Sequence, residues 1–157
     1  MVPERSVIRF DHVPLAEIAR SSEAAYPYEG CGALLGESGH ARVMLPLPNT
    51  EKDMPRVRFE VSPKDYLRAE REAEARGLLL LGFWHSHPDH PARPSATDLS
   101  CAWFGLLTVI VSVQKGRARD IGAWEIRAPE LPFEPVEIEC PDFAREAVTT
   151  LSREGEA

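Results

Sequence analysis

The stretch Leu78–Asp98 reads LLLLGFWHSHPDHPARPSATD. From Leu78 to Trp84 it is an apolar run of strand length, interrupted only by Gly82, and it predicts a buried strand. His85, Ser86, His87 and Pro88 lie at the end of that strand. Residues two apart in a strand point to the same face, about 7 Å apart at their Cα atoms by strand rise. Two imidazoles so placed can share one metal ion. Pro88, Pro91 and Pro94 then impose a loop, and Ser95-Ala-Thr-Asp98 opens a helix. The loop can bend that helix back over the strand end, which makes Asp98 the best candidate for a third ligand.

The rest of the chain organises itself around this stretch. On the N-terminal side, Ser62-Pro63-Lys64-Asp65 is a helix start: Ser62 can cap, Pro63 suits the first helical position and Asp65 completes a capping box. The helix runs through Ala75 and stops at Gly77. Tyr66, Ala69 and Ala73 on it read as packing. Ala41–Leu47 and Arg56–Val61 read as two strands joined by a mobile loop over Pro46–Pro55. Gly30–Gly36 is a short apolar stretch preceded by Glu29 and reads as a buried strand. Ser6–Phe10 alternates weakly as a first strand. Pro14 fits the first turn of a helix whose Leu15, Ile18, Ala19, Ser22 and Ala25 share one face, and Tyr26-Pro27 ends it.

On the C-terminal side, the helix from Ser95 is expected to reach about Phe104. Leu106–Val113 follows as a strand, Lys115–Arg119 as a hairpin turn and Ile121–Arg127 as its partner. A short strand near Val136–Glu139 and a final helix over Asp142–Leu151 complete the reading. Strands, hairpins and helices in this mixture predict an α+β fold, and 157 residues predict one domain.

Composition excludes several functions. The net charge of −7 and the lack of a clustered basic stripe argue against nucleic acid as a partner. The longest apolar run, Cys101–Val111, is about half of the roughly 20 residues a membrane span needs. Cys31, Cys101 and Cys140 are odd in number, form no Cys-x-x-Cys and follow no secretory signal, which predicts a reducing cytoplasm. Oligomeric state is not legible.

A catalytic zinc site takes three protein ligands and leaves its fourth position to water. His85, His87 and Asp98 supply that number for one Zn2+ ion with a bound water. Zinc lowers the pKa of such a water to about 7, so hydroxide exists at neutral pH. A carboxylate must still take its proton and return it to a leaving amine. Glu29 is the candidate, because it directly precedes a glycine-rich buried strand. The Ser95 hydroxyl, three residues before Asp98, could stabilise the oxyanion. Taken singly, each feature has a plainer meaning. His-x-His is often a surface pair, Ser-x-x-Asp a capping box, Glu29 a solvated carboxylate and Cys31 a small buried side chain. His12, Asp89 and His90 could be spare ligands, but an ordinary structural role is favoured for each. No His-Glu-x-x-His is present, and no Pro-Cys-x-x-Cys follows a His-x-Glu. Those absences disfavour the common metalloprotease helix and the nucleobase deaminases.

Taken jointly, the pattern resembles the JAMM (MPN-plus) metalloproteases. Their signature is a distant Glu, then His-x-His, seven residues, Ser, two residues and Asp. Here His85 and His87 are followed by the seven residues Pro88–Pro94, then by Ser95 and Asp98. Upstream, Pro27-Tyr28-Glu29-Gly30-Cys31-Gly32 is similar to the family's glutamate segment. The likeness covers roughly Ile8–Trp124. It implies zinc bound by His85, His87 and Asp98, Glu29 as general base and acid, and Ser95 at the oxyanion. It implies a curved mixed β-sheet flanked by helices, the cytidine-deaminase-like JAMM/MPN fold. The implied activity is hydrolysis of a peptide or isopeptide bond after the Gly-Gly tail of a ubiquitin-like or sulfur-carrier protein. Leu106 follows the metal helix so closely that no large insertion fits there, which implies the compact prokaryotic branch. The group released could be a protein lysine, a peptide or a single amino acid. The Pro46–Pro55 loop is a candidate for shaping substrate access. The competing expectation is a non-cleaving MPN-type scaffold that holds a ubiquitin-like protein.

Overall fold

Gly30–Gly36 and Leu78–Trp84 are apolar at nearly every position, so neither can face water on either side. The computed structural model, which describes residues 6–140, sets them side by side at the centre of the sheet. Its elements are β1 (Val7–Phe10), α1 (His12–Ala25), β2 (Cys31–Glu37), β3 (His40–Leu47), α2 (Pro63–Ala75), β4 (Leu79–Pro88), α3 (Ala96–Cys101), β5 (Leu107–Gln114), β6 (Arg117–Glu125) and β7 (Glu134–Glu139). The helix expected over 142–151 lies outside the described residues.

The strand order is β1-β3-β2-β4-β5-β6-β7, and β7 returns to pair with β1 in parallel. The curved mixed sheet expected from sequence is therefore closed on itself. Parallel pairing of β4 with β5 requires the chain to cross over between them, and the crossover carries the proline-rich loop and α3. Helix α1 packs on β3, β5 and β6, whereas α2 packs on β4 and β2.

Side-chain alternation splits the interior into two clusters. On one side Leu34, Trp84, Val109 and Val111 pack with Leu15 and Ile18 of α1. On the other, Cys31, Ala33 and Phe83 pack with Ala69 of α2 and with Tyr66 and Trp103. His85 and His87 have the parity of Phe83, so they face the α2 side.

Four local readings need correction. Arg56–Val61 is not a strand. Met54 accepts from the amides of Val57 and Arg58 in a turn, and the segment is held by Asn49 rather than by a ladder. The Pro46–Pro55 segment is accordingly tied down, and Pro46 and Leu47 belong to β3, opposite Gly32 and Cys31. Helix α3 ends at Cys101 instead of Phe104, because Ala102 is already extended at the cap. The hairpin turn is shorter than expected, with β6 starting at Arg117. Ser62 caps α2 as expected, accepting from the Asp65 amide at 3.1 Å; its hydroxyl donates to the Asp65 carboxylate at 2.9 Å.

Gly82 is where the packing tolerates no side chain. A Cβ there would fall on the Leu107 backbone, its carbonyl oxygen above all. The close approach starts the β4–β5 ladder, whose register pairs Gly82 with Leu107. Gly82→Ala is expected to cost about 1–3 kcal/mol, the usual range for overpacking a tight interior. The midpoint of denaturant unfolding measures it.

Candidate metal centre

Strand β4 does not stop where its apolar run stops. Pairing with β5 continues through His85 opposite Ile110, His87 opposite Ser112 and Pro88 opposite Val113. Both histidines are thus held in extended backbone, side by side on one face. His85 is 1% exposed and His87 6%. Their Nε2 atoms lie 3.1 Å apart.

Asp98 arrives from α3. Ser95 is its N-cap, and the Ser95 hydroxyl oxygen accepts from the Asp98 amide at 3.0 Å. In return the Ser95 amide donates to Asp98 Oδ2 at 2.8 Å. This is a full capping box, and it fixes the direction of the carboxylate. Oδ1 lies 3.0 Å from His85 Nε2 and Oδ2 lies 3.0 Å from His87 Nε2. The structural role expected of Ser-x-x-Asp and the chemical one coincide in the same hydrogen bonds.

Glu29 enters from the other side, just before β2. It is 4% exposed. One of its carboxylate oxygens lies within 4.8 Å of a ring nitrogen of each histidine. Its backbone is clamped: the amide donates to Pro55 O at 2.8 Å, and the carbonyl accepts from Asn49 Nδ2 at 3.0 Å. Next to it, Gly30 N donates to Ser86 Oγ at 2.8 Å. Ser95, by contrast, is exposed. Its hydroxyl accepts in the cap, which leaves its proton available to donate.

These donors fit a divalent ion. Tetrahedral zinc with bonds of about 2.0–2.1 Å sets its ligand atoms about 3.3 Å apart; the two imidazole nitrogens stand 3.1 Å apart, and each lies 3.0 Å from a different oxygen of the Asp98 carboxylate. Buried carboxylates and imidazoles in such proximity need a cation or shared protons between them. Glu29 Oε1 is buried with no hydrogen-bond partner. His87 Nδ1 bonds the Pro91 carbonyl at 2.8 Å, so as N–H it leaves Nε2 free to coordinate. His85 lacks such an outer partner at Nδ1; its ring is instead stacked on Phe59 at 4.3 Å between centroids.

Electrostatics follow from burial and proximity. Burial would raise the Asp98 carboxyl, but hydrogen bonds from His85 and His87 outweigh it and hold Asp98 well below the usual carboxylate range. Burial pushes His85 down, against the pull of Asp98. At His87 burial is overcome by Asp98 and the Pro91 carbonyl, so its affinity for a proton is raised. Burial pushes the Glu29 carboxyl up to about 8, with Asp98 adding and His87 opposing.

Of the spare ligands, none joins the cluster. Asp89 accepts from Tyr26 Oη at 2.7 Å and from the Lys115 amide at 2.8 Å. His90 is exposed, and His12 opens α1. Cys31 is a buried thiol pushed up to about 12, chiefly by desolvation, as expected of an inert packing residue. Sequence reasoning missed Ser86, Asn49, Phe59 and Pro91. A serine inside an apolar strand does signal a needed partner. Asn49 and Pro91 lie in segments without periodicity and give no signal, and the alternation around Phe59 points to a strand and not to a site.

Comparison with known proteins agrees with this geometry. The profile of "Prokaryotic homologs of the JAB domain" matches residues 13–127. A protein named "Desampylase" from Haloferax volcanii is 37% identical over 89 residues, which are 55% of this chain and 63% of that protein. A "Probable TtuB-protein conjugate cleaving protease" from Thermus thermophilus is 37% identical over 92 residues, 59% of this chain and 61% of that one. The matched regions thus span less than two thirds of these relatives. The crystal structure of a JAB1/MPN domain protein from Archaeoglobus fulgidus superposes with a TM-score of 0.58 at 23% identity, covering 87% of this chain and 99% of that one. That likeness is one of fold.

The buried Glu29 carboxyl has a consequence for the metal-free protein. An acid bound more tightly to its proton when folded stabilises the fold fully below its unfolded pKa, near 4.5, and loses that contribution as pH rises through about 8. Glu29→Gln should therefore gain thermal stability relative to the wild type between pH 5 and 9, as about that span is where the carboxyl ionises. Parallel melting curves across this range would show that the carboxyl is not held neutral.

Proposed function

The chain belongs to the prokaryotic homologs of the JAB domain, and from that membership we propose that it is a zinc-dependent peptidase acting after the Gly-Gly tail of a ubiquitin-like or sulfur-carrier protein. The observation that carries the reading is the meeting of His85, His87 and Asp98 at 3.0–3.1 Å, with Glu29 buried beside them. The names of the Haloferax and Thermus relatives support the substrate class. No helix among the described residues is long and apolar enough to cross a membrane. Cytoplasmic placement, the reading from the cysteines, belongs to the same proposal.

In this reading His85, His87 and Asp98 are the residues that would hold one Zn2+ ion. Zinc bound there supplies a Lewis acid and brings the pKa of its water near 7. Glu29 takes the proton of the attacking water and returns it to the departing amine. Its desolvated carboxyl suits both tasks, since a group of raised proton affinity is a strong base and then a usable acid at neutral pH. Ser95 donates its free hydroxyl proton to the developing oxyanion. The Pro91 carbonyl holds the His87 ring in its tautomer, Asn49 holds the Glu29 carbonyl, and Ser86 holds the amide of the next residue, Gly30. A scaffold that only bound its partner would have no use for a desolvated carboxyl beside a cation site.

Three measurements test the assignment on a fusion ending in Gly-Gly. Glu29→Gln should keep stoichiometric zinc and lose activity by about 10²–10⁴-fold, the usual range for a general acid–base. His87→Ala and Asp98→Ala should lose both metal and turnover. Ser95→Ala should keep zinc and lose about 10²-fold in kcat, as for one oxyanion donor. Full turnover after chelation of all divalent metal would end the proposal.

A further inference from the structure

A cleft of about 510 Å³ opens over the site, with Glu29 and His87 among its lining residues. That volume lies within the roughly 300–1,000 Å³ of ordinary ligand clefts. One wall is the turn that carries Arg56, Val57 and Arg58, and the other includes Arg93 from the proline-rich loop. Glu29 is the one carboxylate among the lining residues, and it is buried.

The three arginines are exposed and hold no carboxylate partner among the described residues. Arg56 lies over the ring of Tyr28, 5.9 Å from its centroid. Arg42, Arg68, Arg76 and Arg127 do pair with carboxylates; what sets Arg56, Arg58 and Arg93 apart is that all three line one cleft. In a chain of net charge −7, three exposed arginines without a carboxylate partner among the described residues line both sides of the cleft above Glu29 and His87. Guanidinium groups match carboxylates by bidentate hydrogen bonding, and a charged rim steers and selects an oppositely charged partner.

We infer that Arg56, Arg58 and Arg93 select the substrate by binding acidic side chains in the peptide segment that flanks the scissile bond. Positive charge distributed over two walls suits several carboxylates spread along a chain. A single free carboxyl terminus would engage one guanidinium. Val57 and Met54, also in the lining, leave the remaining surface apolar enough for small uncharged residues between the acidic ones. The inference rests on the proposed peptidase reading, since it assigns that peptidase its preferred sequence.

The test uses zinc-loaded full chain carrying Glu29→Gln, so that bound peptide is not consumed. Three labelled peptides share a central Gly-Gly: one flanked by Asp and Glu and amidated, one flanked by Asn and Gln and amidated, and one neutral with a free carboxyl terminus. Fluorescence anisotropy should show the acidic peptide binding about tenfold tighter than its neutral counterpart at low ionic strength. The gap should close towards about 1 M salt, where the screening length is only ~3 Å. Arg58→Gln combined with Arg93→Gln should abolish most of the gap, Arg→Lys at both positions should retain part of it, and Arg42→Gln, a loss of the same charge elsewhere, should leave it intact. Equal binding of the first two peptides overturns the inference. So does a preference that survives the double glutamine variant, or one that follows the free carboxyl terminus. Cleavage by the wild type, followed in parallel by mass spectrometry, separates the two claims. An acidic preference without cleavage keeps the arginine recognition of acidic segments and removes the peptidase reading on which its role in cleavage rests, whereas equal cleavage and equal binding of both amidated peptides do the reverse.

Discussion

The site depends on one backbone fact: β4 stays paired with β5 for four residues beyond its apolar run. Pro88 is the last residue of that ladder, and Asp89 follows in the left-handed region with φ of 58°. Had the strand frayed after Trp84, His85 and His87 would sit in loop backbone with no reason to share a face. Parallel pairing lets the strand end emerge beside its crossover, and ligands of parallel strands commonly bind outside their carboxyl ends. The crossover itself supplies the third member of the cluster. The geometry of the cluster is therefore set mostly by sheet register, a rigid property, and only its last component by a loop.

That loop is short of freedom. Four consecutive residues are each fixed to the frame. Asp89 accepts from Tyr26 and Lys115, the His90 carbonyl from Ser112, and the Ala92 carbonyl from Trp124; the Pro91 carbonyl bonds His87. The prolines limit the conformations of the free chain, and the hydrogen bonds select one of those left. The loop serves two functions at once: it delivers α3, and it orients a ring of the site it delivers α3 to. Ser95 and Asp98 show the same economy, because a cap that ends one helix also aims a carboxylate.

Legibility in the sequence followed the range of the interactions. His85, His87, Ser95 and Asp98 could be read together because their relation is local: a strand period, a proline loop and a cap. The central strands could be read because burial on both faces leaves a continuous apolar run. Closure of the sheet could not. It depends on Val7, Ile8 and Arg9 pairing with Glu137, Ile138 and Glu139, a contact between the two ends of the described chain with weak alternation at both. Arg56–Val61 was misread for a related reason. Its alternation is real, but no strand edge is offered to it, and Asn49 supplies the hydrogen bonds that a neighbour would have given. The side chain of Asn49 reaches Glu29, Arg58, Glu60 and Glu51, and none of these bonds has a signature in composition or spacing.

Asn49 also joins two parts of the site that electrostatics keeps apart. The proton affinity of Glu29 is set by its burial, by Asp98 and by His87. The arginines of the cleft are exposed and do not enter that balance, because water screens them from a carboxyl that is itself desolvated. Charge at the rim can therefore vary without altering the base beneath it. Geometry is different. The turn that bears Arg56 and Arg58 is fastened through Asn49 to the backbone of Glu29, and Pro55 of the same turn accepts from the Glu29 amide. A load on that wall is a load on the anchor of the carboxylate, so the arginines and Glu29 share a mechanical link and no electrostatic one.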